Sequence, residues 1–303
     1  MTGIAATVLA DSMSPTGHRL QSFQVTAHRW ILAEINTHKR LSRNYRSSRA
    51  VPVKKLIEEV RTNPAMPVEW RKNKPGMQAG ELMTPEEAAR AEIYWRAAAA
   101  DAADHAEELA EMGLHKQWAN RGLETYLYVH GVLTATEWGN FFGLRYHKDA
   151  QPEFRELAKA MYRARQGSTP KLLLPVEWHL PDVDEFDVSA AKEAGRTNLF
   201  GMGWSEILKR ISAARCARVS YKVFDAYRRS TIADDLELAK HLMKSGHWSC
   251  FEHQATLDGQ VKVGAINACI RSEPVRKWLH AHQHANFIGW RQFPRRSRYR
   301  RAI

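Results

Sequence analysis

The sequence predicts a chain of mixed α-helices and β-strands, and three stretches carry that reading. Ser22-Phe23-Gln24-Val25-Thr26-Ala27 alternates and then turns apolar, as a strand does when it runs into a helix near Trp30. Thr84-Pro85-Glu86-Glu87 joins a capping threonine to a glutamate three residues on, with proline at the first helical position. Ala150-Gln151-Pro152-Glu153-Phe154-Arg155-Glu156-Leu157-Ala158 opens another helix, again with a proline near its start.

The helix after Thr84 is alanine-rich. Ala91, Tyr94, Trp95, Ala98, Ala102 and Leu109 form its expected buried stripe, and Gly113 ends it. Alanines permit close helix packing, so this element reads as structural. A further helix is expected over about residues 114–123, leading to the run from Thr136 to Arg145. The chain divides into residues 1–165, continuous from about residue 20, a connector at 166–205 rich in Pro and Asp, and a second unit at 206–303. There is no internal repeat.

A chain of 303 residues, 44% hydrophobic, holds one large domain or two small ones. No apolar run reaches the roughly 18 residues that span a bilayer. The N-terminus lacks the basic-then-apolar order of a signal peptide. Cys216, Cys250 and Cys269 are few and widely spaced, which suggests neither a disulfide framework nor a zinc site and fits a reducing cytoplasm. No His cluster has carboxylate or thiolate partners at ligand spacing, so no metal is expected.

The net charge of +12 predicts attraction to nucleotides, phosphorylated cofactors or nucleic acid. The tail from Arg291 to Arg301 interleaves arginines with Phe293 and Tyr299. Nucleic-acid contact is one reading of it. A solvated tail, or one docked on a neighbouring subunit, is the favoured one.

The stretch from Thr37 to Arg49 mixes cations with small hydroxyl and amide side chains, which suits phosphates and nucleotide edges. It resembles, in worn form, the signature of the flavin-dependent thymidylate synthases (the ThyX family), R-H-R-x-x-S-x-N-E-x-S-x-R-Y. His38, Ser42, Asn44, Ser47 and Arg49 match it, and Lys39 replaces an Arg. Thr37, Tyr45 and Ala50 depart from it. Asn140-Phe141-Phe142-Gly143-Leu144-Arg145 and Ala150-Gln151-Pro152-Glu153-Phe154-Arg155 resemble the family's N-F-L-x-L-R and A-Q-x-E-I-R segments. Asn120-Arg121 is similar to its A-R pair. In the second unit, Ala217-Arg218-Val219-Ser220-Tyr221 resembles A-R-V-S-Y, and Gly246-His247-Trp248-Ser249-Cys250-Phe251-Glu252-His253 resembles G-H-x-S-P-F-E-H. Those two motifs normally precede the signature and here follow it. The chain therefore resembles a ThyX protein, of a phage type, with its halves in permuted order. Permutation is tolerated where termini lie close and exposed.

The resemblance implies an α/β (α+β) fold with a mainly antiparallel sheet and long helices, assembled as a homotetramer with shared active sites. It implies transfer of a one-carbon unit from 5,10-methylenetetrahydrofolate to C5 of a pyrimidine deoxynucleotide monophosphate, dUMP to dTMP. FAD carries the hard steps and NADPH recharges it. It makes Arg145 the catalytic residue, a fixed cation that stabilises negative charge on the ring. An ordinary ion pair of Arg145 with Glu153 or Asp149 is the plainer reading. Arg49, Ser47, Arg121, Glu34, Tyr45 and Gln151 are implied as substrate ligands. His38, Lys39, Arg40, Asn140, Ser220, His247, Ser249 and Glu252 are implied as FAD ligands, although His247 alone would read as a core histidine. No G-x-G-x-x-G follows a strand, so no Rossmann crevice is expected. Cys250 replaces the family's Pro beside two histidines, but buried structural cysteine is the commoner case than a nucleophile.

The departures bear on the substrate. Glu34 stands where the family has Gln, and an ionised carboxylate only accepts hydrogen bonds. Cytosine offers a 4-amino donor where uracil offers an acceptor. Methylation or hydroxymethylation of dCMP, or hydroxymethylation of dUMP, is therefore the alternative, suited to a virus that modifies its DNA in a host cytoplasm. The alternative of another class is a catalytically inactive relative that binds nucleic acid.

Overall fold

The computed structural model describes residues 3–219, 230–263 and 275–293. β1 (Ala5–Met13) and β2 (Arg19–His28) form a hairpin, and β2 runs through a short 3-10 turn into α1 (Leu32–Thr37). β3 (Ser42–Tyr45) is followed by a 3-10 turn at Ser48–Ala50 and by α2 (Val53–Thr62). The long α3 (Pro85–Glu111) leads to α4 (Lys116–Ala119) and β4 (Tyr128–Ala135). α5 (Gly139–Arg145) and α6 (Pro152–Gln166) complete the first half. The connector holds β5 (Lys171–Leu172), β6 (Trp178–His179) and α7 (Glu185–Arg196). Beyond it lie α8 (Trp204–Arg218), α9 (Ile232–Lys244), β7 (Ala255–Leu257), β8 (Gln260–Val263), β9 (Val275–Trp278) and β10 (Trp290–Gln292).

The main sheet has the order β3-β4-β2-β1-β5. Its pairings are antiparallel except β1 with β5. Of two smaller antiparallel sheets, β8-β9 lies in the second half and β10-β7-β6 joins the connector strand β6 to it. The fold is mixed α/β with mostly antiparallel sheets, as expected. Among the described residues no helix is long and apolar enough to cross a membrane.

Alternation along the strands gives the main sheet two different faces. Phe23, Val25 and Ala27 of β2, with Val129, Leu133 and Ala135 of β4, pack against Phe154, Leu157, Ala158 and Met161 of α6. The opposite face carries Val132 under Ala213, Ala214 and Cys216 of α8 and under Phe251. The same face also presents Ser12, Ser22, Ser42 and Thr134, all buried. The second half thus lies on the polar side of the sheet.

The capping box at Thr84 forms, with Glu87 closing it. The stripe expected on α3 is rotated: Ala99, Ala103 and Ala106 are buried against Leu56, Ile57 and Val60 of α2, while Tyr94 is 64% exposed. In an alanine-rich helix apolarity hardly varies around the axis, so the pattern does not fix the buried side. The helix expected at 114–123 shrinks to α4, because Asn120 turns inward to donate to the Ser48 and Val51 carbonyls.

α7, α8 and α9 are tied by Arg215, buried, whose guanidinium donates to Asp187 at 2.5 and 2.8 Å and to Asp235 at 3.1 Å. Removing one partner of such a pair strands the other charges in the core. Arg215→Ala is expected to cost about 3–5 kcal/mol, read as a lower urea midpoint with an unchanged slope.

Candidate functional site

The signature segment leaves α1 at His38, turns through Lys39 and Arg40, crosses the sheet edge as β3, and turns again at Ser47–Ala50. It is built into three neighbourhoods.

The first surrounds Arg145, at the end of α5. Its Nε donates to His38 Nε2 at 2.9 Å, and its guanidinium lies over the Phe154 ring, 4.5 Å from the centroid. His38 is 8% exposed and meets Phe141 and Phe154 edge-on. Burial, and then the Arg145 and Arg43 cations, lower its pKa. Arg43 donates to the Asn36 and His38 carbonyls, which holds the end of α1 in place. Arg145 makes no ion pair with Glu153 or Asp149: Glu153 accepts from the Val68 amide and Asp149 faces His147. Lys39, Arg40 and Asn140 are exposed nearby in sequence, and Arg40 sits 3.4 Å from Glu137. Gln151 is exposed at the start of α6, one turn before Phe154.

The second lies on the other side of β3. Asn44 Nδ2 donates to the Cys216 carbonyl at 2.8 Å, and Asn44 Oδ1 accepts from Ser249 Oγ at 2.9 Å. The signature strand and the G-H-x-S-x-F-E-H segment, about two hundred residues apart in sequence, meet here directly. Gln292 Nε2 bridges the Ser42 hydroxyl and the Glu252 carbonyl. His247 is exposed and borders the Ser245 carbonyl. Ser220 lies outside the described residues, as do Cys269 and the tail from residue 294 onward. Burial pushes the Cys250 thiol up to about 12 and raises that of Cys216 as well, so neither is a ready thiolate.

The third is the 3-10 turn that carries Arg49, exposed, just after Ser47. Asn120 fastens this turn, which brings Arg121 beside it. Glu124 Oε1 accepts from Ser48 Oγ at 2.5 Å, Arg121 at 2.8 Å and Arg29 at 3.0 Å. Burial raises the Glu124 pKa, but these donors outweigh it and the net shift is downward. Glu124 had no mark in the sequence beyond its spacing of three from Arg121. Its importance comes from Arg29 and Ser48, which are distant in the chain.

Two substrate candidates hold polar atoms without a protein partner among the described residues. Glu34 Oε2 and the Tyr45 hydroxyl are both sealed from solvent. Burial raises the Tyr45 pKa, so its phenol stays protonated. Its ring lies over Gly131, where any Cβ would fall 2.3 Å from Tyr45 Cδ1.

Lys39 and Arg40, exposed cations just after α1, suit the pyrophosphate of a flavin dinucleotide, whereas the Ser249 hydroxyl is committed to Asn44 Oδ1. His38 fits less well, because its Nε2 is taken by Arg145. Among the described residues, no group of three His, Cys, Asp or Glu side chains is arranged to hold a metal.

A profile of the thymidylate synthase complementing protein family matches residues 4–171, more than half of the chain. The chain belongs to that family, the flavin-dependent thymidylate synthases. Among solved structures, a UMP/dUMP methylase PolB from Streptomyces cacaoi bound with 5-Br UMP is similar at a TM-score of 0.45 and 17% identity, over 55% of this chain and 89% of that one. The same methylase bound with 5-Br dUMP gives 0.45 and 16%, over 55% and 90%. No curated protein matches the sequence.

A buried chain of hydrogen bonds joins the halves beneath this site: Ser12–His179–Ser22–Thr134–His253, each link 2.6–2.9 Å. Burial holds His179 and His253 at about 3, against an ordinary 6.5. Between those values the unfolded chain binds protons that the folded chain refuses. Their stabilising contribution is therefore complete above pH 6.5 and is lost as pH falls toward 3. Stability is expected to drop on acidification in that window, by up to about 1.4 kcal/mol per pH unit for each histidine. Urea midpoints from pH 4 to 7 check this, and His179→Gln flattens the slope.

Proposed function

We propose that this protein transfers a one-carbon unit from 5,10-methylenetetrahydrofolate to C5 of a pyrimidine deoxynucleotide monophosphate, with dUMP to dTMP as the principal reaction. The observation that carries the reading is Arg145, whose guanidinium is fixed by an aromatic face and an imidazole while its two terminal nitrogens have no protein acceptor among the described residues. A preorganised cation of this kind stabilises charge as it develops on a pyrimidine ring, with no reorganisation at the moment of reaction.

Arg49 and Ser47 receive the nucleotide phosphate on their turn, and Arg121 adds a second forked cation. Gln151 belongs to the same substrate set. Lys39, Arg40, Asn140, Ser220, His247, Ser249 and Glu252 hold FAD, the last four supplied by the permuted second half. FAD held by these residues would provide the redox and carbon-transfer chemistry, with NADPH as the source of reducing equivalents. The protein's own part is to bind, orient and polarise the nucleotide. The active enzyme is a homotetramer with shared sites.

A second reading concerns the base. The unpartnered Glu34 Oε2 favours a donor on the ligand, and the 4-amino group of cytosine is one. On that reading dCMP is methylated or hydroxymethylated instead. Tyr45 contributes a protonated hydroxyl that serves as donor or acceptor.

Product mass decides between them. With FAD, NADPH and methylenetetrahydrofolate, dUMP is expected to give a methylated product, and dCMP a methylated or hydroxymethylated one on the second reading. No product from either nucleotide, despite bound flavin, overturns both. Arg145→Ala is expected to keep its flavin and to lose turnover by on the order of a hundredfold or more. Arg121→Ala is expected to raise KM for the nucleotide with kcat little changed, as for loss of uniform binding.

A further inference from the structure

We propose that His38 is a positioning residue for Arg145, although it occupies the histidine position that the signature gives to the flavin. The inference rests on Arg145 acting on the nucleotide.

The direction of one hydrogen bond carries the argument. A guanidinium has donors only and does not deprotonate in proteins, so Arg145 Nε donates and His38 Nε2 accepts, at 2.9 Å. His38 is therefore neutral, with its proton on Nδ1. Its one ring lone pair is spent on Arg145, which leaves Nδ1–H as its only remaining polar ring group. The ring is also shut in: it is 8% exposed, with Phe141 at 5.1 Å and Phe154 at 5.9 Å between centroids, both edge-on. Its Nε2 edge is turned toward α5.

The backbone of His38 is pinned as well. Its amide donates to the Ile35 carbonyl and its own carbonyl accepts from Arg43. The imidazole thus stands on a fixed post at the end of α1. Phe154 supports both members of the pair, with its ring perpendicular to that of His38 and its face under Arg145. Two contacts, one on the π face and one on Nε, restrict the arginine while leaving Nη1 and Nη2 without a protein acceptor among the described residues. Holding a catalytic cation to within a fraction of an ångström is what such support accomplishes.

The test uses the full-length protein with three variants and two readouts, flavin absorbance and the split between kcat and KM. His38→Phe keeps the aromatic volume and removes the acceptor. His38→Gln replaces Nε2 by an amide oxygen that accepts from Nε at similar reach. Arg145→Ala tests the underlying reading. The expected result is that His38→Phe purifies with its flavin and loses kcat by about tenfold to a hundredfold, and that His38→Gln recovers most of the loss. Loss of flavin from both His38 variants overturns the proposal, as does unchanged kcat in His38→Phe when Arg145→Ala is inactive. Normal turnover in Arg145→Ala overturns the reading beneath it instead. Should His38→Phe not fold, Arg145→Lys reads the same bond from the other side, since it keeps the charge and loses the Nε donor. Its effect must then be non-additive with that of His38→Leu, which removes the acceptor, and additivity overturns the pairing.

Discussion

The structure depends on a sheet face that is buried and polar at once. Ser12, Ser22, Ser42 and Thr134 lie under the second half, and Asn44 continues the row along β3. A buried hydroxyl or amide without a partner costs about 1–3 kcal/mol. Each of these groups finds one in the connector or the second half: His179 in the first, and His253, Gln292, the Cys216 carbonyl and Ser249 in the second. An apolar face would accept many orientations of whatever covered it. This face accepts the one that satisfies its hydrogen bonds, and so fixes how the halves sit together.

That constraint also places the signature. β3 is an edge strand of four residues, paired on one side to β4. Its alternation sends Ser42 and Asn44 to the second half, while Arg43 braces the end of α1 and Tyr45 packs over Gly131. One short strand therefore joins the neighbourhood of Arg145 to that of Ser249. The signature strand and the Gly246–His253 segment meet across it through side chains on opposing surfaces.

Electrostatics follows a similar logic. The cations gathered around Ser48–Ala50 would repel one another in the absence of ligand. Glu124 and Glu59 answer them from within the protein, the first holding Arg29 and Arg121, the second gripping Arg46 in a fork. Carboxylates placed there keep a cationic surface folded and leave Arg49 exposed.

The sequence by itself determined the local elements and the family. Alternation at Ser22–Ala27 appears as the core face of β2, and the capping box at Thr84 starts α3, since both are set by neighbours within a few residues. The signature and the Asn140–Arg155 segments were legible because their residue types and spacing are chemically unusual. Tertiary structure alone decided which side of α3 is buried, since alanines are alike all round, and that two-residue strands β5 and β6 order the connector, since periodicity needs more length to show. It alone revealed Glu124 as the anchor of the basic turn and His38 as the partner of Arg145. Those roles belong to pairs separated by 76 and 107 residues, and only folding brings such pairs within hydrogen-bond reach.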